Sequence, residues 1–372
     1  MSENQKKNIL VTGASGYIAT HCVQQLLDRG YNVTGTVRSL KNEEKVNPLR
    51  ELNYAERRLK LVEADLLDEP EKWTKVIGDC DFVLHVASPF PLVDEESTIQ
   101  IAVDGTLNVL KACAKCPSVK KVVLTSSCAA VNEGHEDENR EFSEEDWTNL
   151  DSSNVLSYAR SKTKAELAAW EFVKENKEHQ FKLTALNPTF VVGPLLMDTP
   201  GTSITSVRKF LNFEVPAVPP LQMGMVDVRD VALAHILAME NEESDGERIL
   251  ITQQPSVSFR KMCQILTDEF KPQGKLINIY RIYQTISGYY IPFFVVPYPF
   301  VWIYSFISVE ARASLTRLNR RVIFNNEKSK RILKLEYREI KDSILEMSYS
   351  MIERGIVPKK SGYKGPKEAT KN

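Results

Sequence analysis

Three observations predict an α/β fold built on a doubly wound parallel sheet of the Rossmann type. Short apolar runs recur through the first half of the 372-residue chain, and segments with helical periodicity separate them to about Val192. The first run leads into a glycine-rich turn that opens a helix. Such alternation produces parallel strands with right-handed crossovers, because each helix packs back onto the sheet. A Gly/Pro-rich stretch from Gly193 to Pro220 then begins a smaller C-terminal substrate-binding lobe.

The first strand and its turn have the pattern of a dinucleotide-binding loop. Asn8–Thr12 is a short apolar run, and helical periodicity follows it until Gly30. Between them, Gly13 permits a tight turn and Gly16 lets backbone N–H groups approach a pyrophosphate. The spacing, G-x-x-G-x-x-A, differs from the commoner G-x-G-x-x-G. The cofactor contacts predicted in this loop are Gly13, Ser15, Gly16, Tyr17 and Ile18.

The second strand indicates which nucleotide is bound. Tyr31–Val37 ends at Arg38, where an NAD-binding chain usually carries an acid for the ribose hydroxyls. An arginine suits a 2′-phosphate instead, through charge-assisted and often bidentate hydrogen bonds. Lys45 is the candidate for a second phosphate contact, although its charged run from Lys41 equally suits a solvated surface. The predicted cofactor is therefore NADP(H).

Three further apolar runs deliver side chains to the carboxyl edge of the sheet, where open parallel sheets bind ligands. Leu59–Asp65 ends in Asp65, a candidate for contact with the adenine amino group. The end of Asp81–Ala87 is expected to pass beneath the cofactor, with His85 as a packed side chain. Lys121–Ser127 brings serine hydroxyls to the same edge, where one of them can hold a carbonyl oxygen.

Tyr158 and Lys162 are four residues apart on a predicted helix and therefore share one face. A neighbouring ammonium favours phenolate, and it lowers a tyrosine pKa from its usual value of about 10. Such a tyrosine can give a proton to a carbonyl oxygen or take one from an alcohol. The Y-x-x-x-K pattern alone also occurs on surface helices, so its weight depends on the strands and loop before it.

Composition argues against several classes of function. The chain has 48 Lys and Arg against 49 Asp and Glu, a net charge of −1, which gives no support to nucleic-acid binding. Met1–Lys7 contains no apolar run, so no secretory signal is expected and a cytoplasmic location is predicted. Cys113 and Cys116 form a C-x-x-C pair without a second pair or nearby histidines, so packed thiols are expected there and no metal site.

Together these segments resemble the extended short-chain dehydrogenase/reductases. Within that superfamily they are most similar to the dihydroflavonol 4-reductase, cinnamoyl-CoA reductase and yeast methylglyoxal (ketone) reductase group. The resemblance covers residues 8 to about 280 and resumes near 322. The segments that carry it are Val11–Ala19, Thr36–Ser39, His85–Pro89, Val123–Ser127, Tyr158–Lys162, Leu186–Thr189, Val191–Pro194, Val226–Ala232 and Asn325–Leu333.

The resemblance implies a role for each matching residue. Ser127 would bind the carbonyl oxygen and Tyr158 would act as the general acid. Lys162 would lower the pKa of Tyr158 and hold the nicotinamide ribose. The other cofactor contacts that it implies are Arg38, Lys45, Leu66, Ala87, Pro188, Val191 and Ser203.

Two further positions have alternative interpretations. Asn132 matches a position that touches substrate in the reductase group, but a turn asparagine ahead of Glu133 is equally expected. Asp227 and Arg229 have the appearance of a catalytic pair, and we expect them to form a structural ion pair ahead of a helix.

The same patterns predict the domain organisation. An NADP-binding Rossmann domain comes first and the lobe follows, with a return of the chain to the first domain and its sheet at 224–228 and 247–251. The lysine-rich C-terminal stretch is expected to be a disordered basic tail. The predicted ranges are 6–192 with 224–251 for the Rossmann domain, 193–223 with 252–358 for the lobe, and 359–372 for the tail.

The segment 282–309 departs from the family pattern, because it is rich in apolar residues and carries no charge between Arg281 and Glu310. Its length would suffice to span a bilayer, but its flanks should lie on one side, and a helix would be interrupted at Pro292, Pro297 and Pro299. One alternative is an interfacial hairpin, with anionic lipid facing Arg312, Arg317, Arg320 and Arg321. The other is a lid or wall of the substrate pocket, or an oligomer interface. Both favour a lipophilic substrate.

The sequence therefore predicts an NADPH-dependent reductase of a small-molecule aldehyde or ketone. One alternative is the oxidation of a sterol or lipid alcohol at a membrane surface, as in 3β-hydroxysteroid dehydrogenases, and Arg38 weighs against it. Another is a non-enzymatic NADP-binding scaffold or sensor, and the intact set of Ser127, Tyr158 and Lys162 weighs against that. The carbonyl compound, the reaction direction, the oligomeric state and any peripheral membrane contact stay open.

Overall fold

The computed structural model describes residues 7–89, 97–135, 140–176, 181–273 and 288–366. In chain order the strands are β1 (Asn8–Val11), β2 (Asn32–Val37), β3 (Leu59–Glu63), β4 (Phe82–His85), β5 (Lys121–Thr125), β6 (Glu141–Phe142), β7 (Lys182–Pro188), β8 (Phe190–Val192), β9 (Gln222–Asp227), β10 (Arg248–Ile251), β11 (Gln253–Ser258) and β12 (Ile323–Phe324). The helices are α1 (Tyr17–Asp28), α2 (Glu43–Arg50), α3 (Ala55–Arg58), α4 (Pro70–Ile77), α5 (Ser97–Ala114), α6 (Ser157–Glu175), α7 (Thr202–Leu211), α8 (Val228–Glu240), α9 (Phe259–Phe270), α10 (Tyr298–Tyr304), α11 (Val309–Ser314), α12 (Glu327–Leu333) and α13 (Ile340–Glu353). Short 3-10 turns lie at Cys128–Ala130, Glu242–Ser244, Lys271–Gln273 and Leu315–Arg317.

A seven-stranded sheet forms the centre of the fold. Its strand order is β10-β7-β5-β4-β1-β2-β3, and each neighbouring pair is parallel. The order reverses direction at β1, and this is the place where open α/β sheets leave a crevice for a ligand. Strands β4 and β5 are buried along their whole length, as expected of parallel strands covered on both faces. The predicted doubly wound, Rossmann-type sheet is confirmed.

Helices cover both faces of this sheet. Ile9 and Val11 of β1 pack in one apolar cluster with α1 and α8, whereas Leu10 packs in another with α4 and α5. Successive strand side chains point to opposite faces, so the two pairs of helices lie on opposite sides of the sheet. Helix α8 begins at Val228, because the Asp227 side chain caps its first turn by accepting a hydrogen bond from the N–H of Arg229.

The lobe packs around a separate apolar core formed by α7, α9 and α13. Its three-stranded sheet has the order β11-β9-β8. The expectation that 224–228 joins the main sheet is therefore wrong, because β9 pairs with β8 and β11. The return to the main sheet is made by β10, which lies beside β7.

Part of the C-terminal stretch packs against the lobe. The ring of Tyr363 contacts the rings of Tyr289 and Tyr349. The expected disorder is therefore wrong for 359–366, while 367–372 lies outside the described residues.

The apolar segment is described from residue 288 onward, and 282–287 lies outside the described residues. Val295 forms an isolated parallel bridge with Val218, and the seven-residue α10 follows it. Within the described ranges, no helix has the length and apolar character needed to cross a membrane.

Candidate active site

The loop between β1 and α1 has the geometry of a phosphate-binding turn. Gly13 adopts a left-handed conformation with φ of +63°, and a Cβ there would lie 3.0 Å from the Cβ of Ala87. Its N–H donates a 2.9 Å hydrogen bond to Thr36 Oγ1. Gly16 precedes α1, whose first turn contains no acidic residue and no side-chain cap. The N–H groups and the positive end of this helix therefore suit an anionic pyrophosphate.

The residues that follow the two glycines lie partly exposed at the same edge. Ser15, Tyr17 and Ile18 are each half-buried. The Tyr17 hydroxyl donates a 2.6 Å hydrogen bond to the carbonyl oxygen of Gly193, just after β8. Burial and the charge of Asp227 raise the pKa of Tyr17 well above its usual value, so the phenol stays protonated as this donor. The loop is thereby fixed to the start of the lobe.

Arg38 stands exposed directly after β2, where a 2′-phosphate contact is predicted. No hydrogen bond or ion pair involves Arg38 among the residues that the structure describes. Lys45 differs, because its Nζ donates a hydrogen bond to the backbone oxygen of Asp198 in the lobe. The structure thus leaves the Arg38 guanidinium available to a ligand, whereas Lys45 already bridges the two parts of the chain.

The adenine end of the predicted site is formed by the residues after β3. Asp65 is exposed, and its Oδ1 accepts a 3.0 Å hydrogen bond from the N–H of Leu67. Leu66 packs against Gly105 of α5, and a Cβ added to Gly105 would lie only 2.9 Å from the Cβ of Leu66. The turn is therefore held by α5, with the Asp65 carboxylate at the surface.

His85 is buried at the end of β4, as expected for a packed side chain. Its Nδ1 lies 2.9 Å from Thr12 Oγ1, which also accepts a 2.9 Å hydrogen bond from the N–H of Ala87. Burial and the positive charge of Lys162 lower the pKa of His85 to about 3. The imidazole is consequently neutral, and it holds the strand end that is predicted to pass beneath the cofactor.

The structure brings Ser127 and Tyr158 into direct contact. Ser127 follows β5, and its Oγ accepts a 3.1 Å hydrogen bond from the N–H of Ala129. Tyr158 is the second residue of α6. Burial raises the pKa of Tyr158, while a side-chain hydrogen bond with Ser127 and the charge of Arg317 act in the opposite direction. The lowering that the sequence attributes to Lys162 stays a prediction.

Lys162 lies one helical turn after Tyr158 and is buried. Its Nζ donates a 3.4 Å hydrogen bond to the backbone oxygen of Thr125, at the carboxyl end of β5. Burial lowers the pKa of Lys162 to about 8, although the neighbouring Glu166 carboxylate raises it. The three predicted catalytic residues therefore meet where β5 ends against α6.

A buried carboxylate that the sequence analysis missed organises this region. Glu166 is fully buried on α6 and accepts hydrogen bonds from Ser126 Oγ and, at 2.8 Å, from Asn187 Nδ2. It also forms a 2.6 Å ion pair with Nε of Arg248 on β10. Asn187 Nδ2 donates a second bond, of 3.1 Å, to the backbone oxygen of Ser127. The sequence could have indicated this role, because Glu166 lies four residues after Lys162 and therefore on the same face of the helix.

A cavity of about 830 Å³ lies between the sheet edge and the lobe, and its lining includes Cys128, the residue after Ser127, but not Ser127, Tyr158 or Lys162 themselves. Cys128 and Asn132 line it from the sheet side. The Asn132 Oδ1 atom is buried and has no hydrogen-bond partner among the described residues. The lobe contributes mainly apolar side chains, including Phe190, Phe210, Met223, Phe259, Phe300, Val301 and Phe324. A buried oxygen without a partner is costly, so Asn132 is suited to accept a hydrogen bond from a ligand.

Three other predicted cofactor contacts lie near the same edge. Pro188 ends β7 and is buried, and Val191 on β8 packs against the cluster around α1 and α8. Ser203 is buried in the first turn of α7, which has no acidic residue there. Their cofactor contacts stay predictions.

Two structural interpretations are confirmed. Arg229 donates two side-chain hydrogen bonds to the fully buried Asp227, at 2.9 and 2.7 Å, and also pairs with Glu346 of α13. This arrangement ties α8 to the lobe. Cys113 and Cys116 are buried free thiols at the end of α5, as expected for packed side chains.

Known proteins share both the sequence pattern and the fold. The pattern of the NAD dependent epimerase/dehydratase family matches residues 9–251. Cinnamoyl-CoA reductase CAD2 of Medicago truncatula is 43% identical over 257 residues, which make up 67% of this chain and 77% of that protein. Tetraketide alpha-pyrone reductase 1 of Arabidopsis thaliana is 39% identical over 268 residues, with coverages of 69% and 81%.

Solved structures agree with this relationship. The yeast methylglyoxal/isovaleraldehyde reductase Gre2, complexed with NADPH, has a TM-score of 0.74 at 28% identity and covers 94% of this chain and 99% of its own. Gre2 of Candida albicans, in complex with NADPH, has a TM-score of 0.73 at 30% identity, with coverages of 93% and 99%. The chain therefore belongs to the NAD dependent epimerase/dehydratase family of extended short-chain dehydrogenase/reductases, in which its relatives include cinnamoyl-CoA reductases.

Proposed function

We propose that this protein is an NADPH-dependent reductase of a lipophilic aldehyde or ketone, with Ser127, Tyr158 and Lys162 as its catalytic residues. The observation that carries the proposal is the hydrogen bond between the Ser127 and Tyr158 side chains, with the buried Lys162 one turn further along α6 and Cys128, the neighbour of Ser127, lining the cavity. Its reductase relatives and the NADPH in both Gre2 structures support the same chemistry. The loop after β1 and the exposed Arg38 fit this cofactor.

NADPH, when bound, supplies a hydride to the carbonyl carbon of the substrate. The Ser127 hydroxyl donates a hydrogen bond to the carbonyl oxygen and fixes its position. The Tyr158 phenol gives its proton to that oxygen as negative charge develops there, and an alcohol results. Because burial raises the pKa of Tyr158, the phenol is protonated at neutral pH and the acid is available for reduction. The Lys162 ammonium then stabilises the phenolate that remains until it regains a proton.

The lipophilic character of the substrate is inferred from the cavity. Aromatic and aliphatic side chains of the lobe form most of its exposed wall, although charged side chains such as Lys209 and Arg317 also line it, and Asn132 supplies a buried acceptor near the sheet edge. A carbonyl compound with a large apolar body and one hydrogen-bond donor fits this arrangement. A volume of about 830 Å³ would admit a molecule considerably larger than methylglyoxal.

Oxidation of a lipid alcohol is the second candidate function, and the exposed aromatic side chains of 293–307 favour it. The same residues would serve in reverse, with Tyr158 as phenolate accepting the alcohol proton. Arg38 weighs against this direction, because it suits NADPH, the usual reductant. Peripheral contact with a membrane is compatible with either direction.

The first test is NADPH oxidation by the purified full chain against small aldehydes, diketones, aryl ketones, long-chain aliphatic ketones and 3-ketosteroids, with NADH as the cofactor control. We expect turnover with NADPH and a kcat/KM that increases with the apolar size of the carbonyl compound. Oxidation of sterols with NAD, without reduction of any ketone, would instead assign the second candidate. NADPH binding without turnover in either direction would contradict both.

A further inference from the structure

A surface rich in aromatic residues lies on the lobe, in the described part of the uncharged segment. We call it the aromatic surface, and it consists of Phe293, Phe294, Tyr298, Trp302, Ile303, Phe306 and Ile307. The exposed fractions are 73% for Phe293, 64% for Phe306 and 82% for Ile307. Soluble monomers rarely expose contiguous large apolar side chains, because each one costs free energy in water. A surface of this kind therefore marks an interaction.

The exposure is imposed by the fold. The N–H of Val218 donates a 2.8 Å hydrogen bond to the oxygen of Phe294, and the N–H of Val296 donates a 2.9 Å bond to the oxygen of Val218. On the inner side, Val301 packs with Ala311 and Leu318 in a small apolar core. The backbone of the segment is thus anchored to the lobe while its aromatic side chains point outward.

Helix α10 connects this surface to the cavity. Phe300, Val301 and Tyr304 line the cavity, whereas Trp302 and Ile303 on the same short helix are exposed. Phe300 and Tyr304 are themselves more than half exposed, so they belong to the cavity rim. The rim and the aromatic surface are therefore continuous.

Such a surface is usually covered either by a second copy of the chain or by a membrane, and the charges beside it distinguish between the two. Exposed Arg312 and Arg321 follow it by five and fourteen residues, and neither has an ion pair to a carboxylate among the described residues. Arg312 Nε donates a 3.2 Å hydrogen bond to the backbone oxygen of Ser305, which holds it next to the surface. A symmetric contact between two copies would bring these like charges together. Anionic headgroups would instead complement them, and Trp and Tyr side chains are suited to headgroup depth.

Two of the four arginines expected to face lipid do not do so. Arg317 forms a 2.9 Å ion pair with Glu133, and Arg320 donates a 2.9 Å hydrogen bond to the backbone oxygen of His135. Both are directed toward the sheet edge. The headgroup contacts are accordingly assigned to Arg312, next to the aromatic surface, and to Arg321, which is exposed and also lines the cavity.

We propose that the aromatic surface docks on an anionic phospholipid bilayer, and that the lipophilic carbonyl substrate passes from the lipid into the cavity at the rim formed by Phe300 and Tyr304. This inference rests on the proposed reductase function for its substrate, but the docking itself does not require catalysis. The protein then lies in the interfacial region, with its aromatic side chains among the headgroups.

The test uses co-sedimentation of the purified full chain with phosphatidylcholine vesicles that contain or lack phosphatidylserine. The variant W302S/I303S/F306S/I307S should bind anionic vesicles at least about tenfold more weakly, because apolar burial drives interfacial binding. Arg312→Gln combined with Arg321→Gln should lower binding to anionic vesicles by about fivefold per arginine and leave neutral vesicles unaffected. The matched control is Tyr54→Ser with Leu167→Ser, which removes exposed apolar side chains elsewhere and should bind as the wild type does.

Activity provides the second readout. Anionic vesicles should increase the turnover of a long-chain ketone dissolved in them by the wild type, but not by the four-residue variant. Both proteins should reduce a small water-soluble aldehyde equally, which shows that the variant is folded. Wild-type protein that does not sediment with anionic vesicles would overturn the proposal. So would a concentration-dependent dimer in ultracentrifugation that the variant abolishes while vesicle binding persists. Vesicle binding without turnover of any carbonyl compound would refute the reductase function and leave the docking supported.

Discussion

At the scale of single residues, two buried groups determine the proposed chemistry: the phenol of Tyr158, which ionises to an anion, and the amine of Lys162, which ionises to a cation. Burial raises the pKa of Tyr158 and lowers that of Lys162 to about 8, since it disfavours the charged form of each. A protonated phenol and a destabilised ammonium therefore lie one turn apart on α6. The Tyr158 phenol is therefore suited to donating a proton, and the Lys162 ammonium would be stabilised by the phenolate that this donation leaves.

Tyr158→Phe should abolish turnover and leave NADPH binding nearly unchanged. Loss of a general acid typically lowers kcat by about 10²- to 10⁴-fold, while the ring and its packing are retained. Steady-state rates and a fluorescence titration with NADPH measure the two effects. The matched control, Tyr31→Phe, removes a phenol that bonds Glu240 far from the site and should preserve activity. Normal turnover in Tyr158→Phe would refute the mechanism.

Lys162→Met should increase stability at neutral pH while it removes activity. The pKa of Lys162 is about 8, below the usual 10.5, so the cost of a buried charge is fully present below pH 8. It disappears as pH rises to 10.5, because the unfolded chain then binds more protons than the folded one and wild-type stability rises. We expect the free energy of unfolding of Lys162→Met to exceed that of the wild type by about 1–3 kcal/mol at pH 7, and this difference should become smaller toward pH 10.

Urea unfolding at several pH values measures this difference. Exposed Lys164 on the same helix supplies the control, since Lys164→Met should change stability little at any pH. A Lys162→Met protein that is less stable than the wild type at pH 7 would contradict the assigned cost of burial.

Arg38→Asp should weaken NADPH binding by about 10- to 100-fold and NADH binding much less, because it removes a charge-assisted contact to the 2′-phosphate. Dissociation constants for the two cofactors give the ratio directly. Arg50→Asp, an exposed substitution at the end of α2, is the charge-matched control. An equal loss for both cofactors would exclude the phosphate role.

At the scale of secondary-structure elements, the buried Glu166 network joins α6, β7 and β10. Its carboxylate binds Ser126, Asn187 and Arg248, and the Arg248 guanidinium also stacks 3.5 Å from the Trp147 ring. These contacts fix the segment that carries Ser127 against the helix that carries Tyr158. The network is a positioning device, because none of its side chains needs to touch the substrate.

Glu166→Gln should destabilise the fold by about 3 kcal/mol, since it leaves the buried Arg248 cation without its partner. Guanidinium or urea unfolding measures this loss. Glu71→Gln removes an exposed ion pair with Lys115 and should leave stability nearly unchanged. If both substitutions cost the same, the buried network does not have the assigned role.

At the scale of the whole molecule, the Arg317–Glu133 ion pair closes the lobe against the sheet edge. Both residues line the cavity, and the charge of Arg317 reaches Tyr158. The lobe therefore contributes to the candidate active site as well as to the cavity proposed to hold the substrate. Removal of Arg317 is expected to weaken substrate binding more than cofactor binding, because the predicted cofactor loop lies between β1 and α1.

Arg317→Met should raise KM for carbonyl compounds by about tenfold and leave the NADPH dissociation constant unchanged. It should also cost about 1–2 kcal/mol of stability, because Glu133 loses its cation in a mostly buried place. Adding Glu133→Gln should recover most of that stability but not KM. A double variant no more stable than Arg317→Met would show that the pair is not coupled.

Much of this molecule is predictable from its sequence. The strands β1 to β5, the Gly13–Gly16 turn, Arg38 and the Tyr158–Lys162 spacing are local patterns, so periodicity and motif spacing suffice to place them. The prediction that 224–228 joins the main sheet was wrong, because the apolar pattern of a strand does not determine which sheet it joins. The packing of 359–366 was missed for a similar reason, since its lysines suggest disorder while Tyr363 is held by distant rings.

By itself the sequence determined the Rossmann fold, the family and the residue types at the candidate site. Only the tertiary structure decided the burial that raises the pKa of Tyr158, the Glu166 network and the inward direction of Arg317. It also decided that the uncharged segment both borders the cavity and faces outward. The physical reason is the range of the interactions: turns and helix faces depend on near neighbours in the chain, whereas burial and ion pairs depend on residues that are distant in sequence.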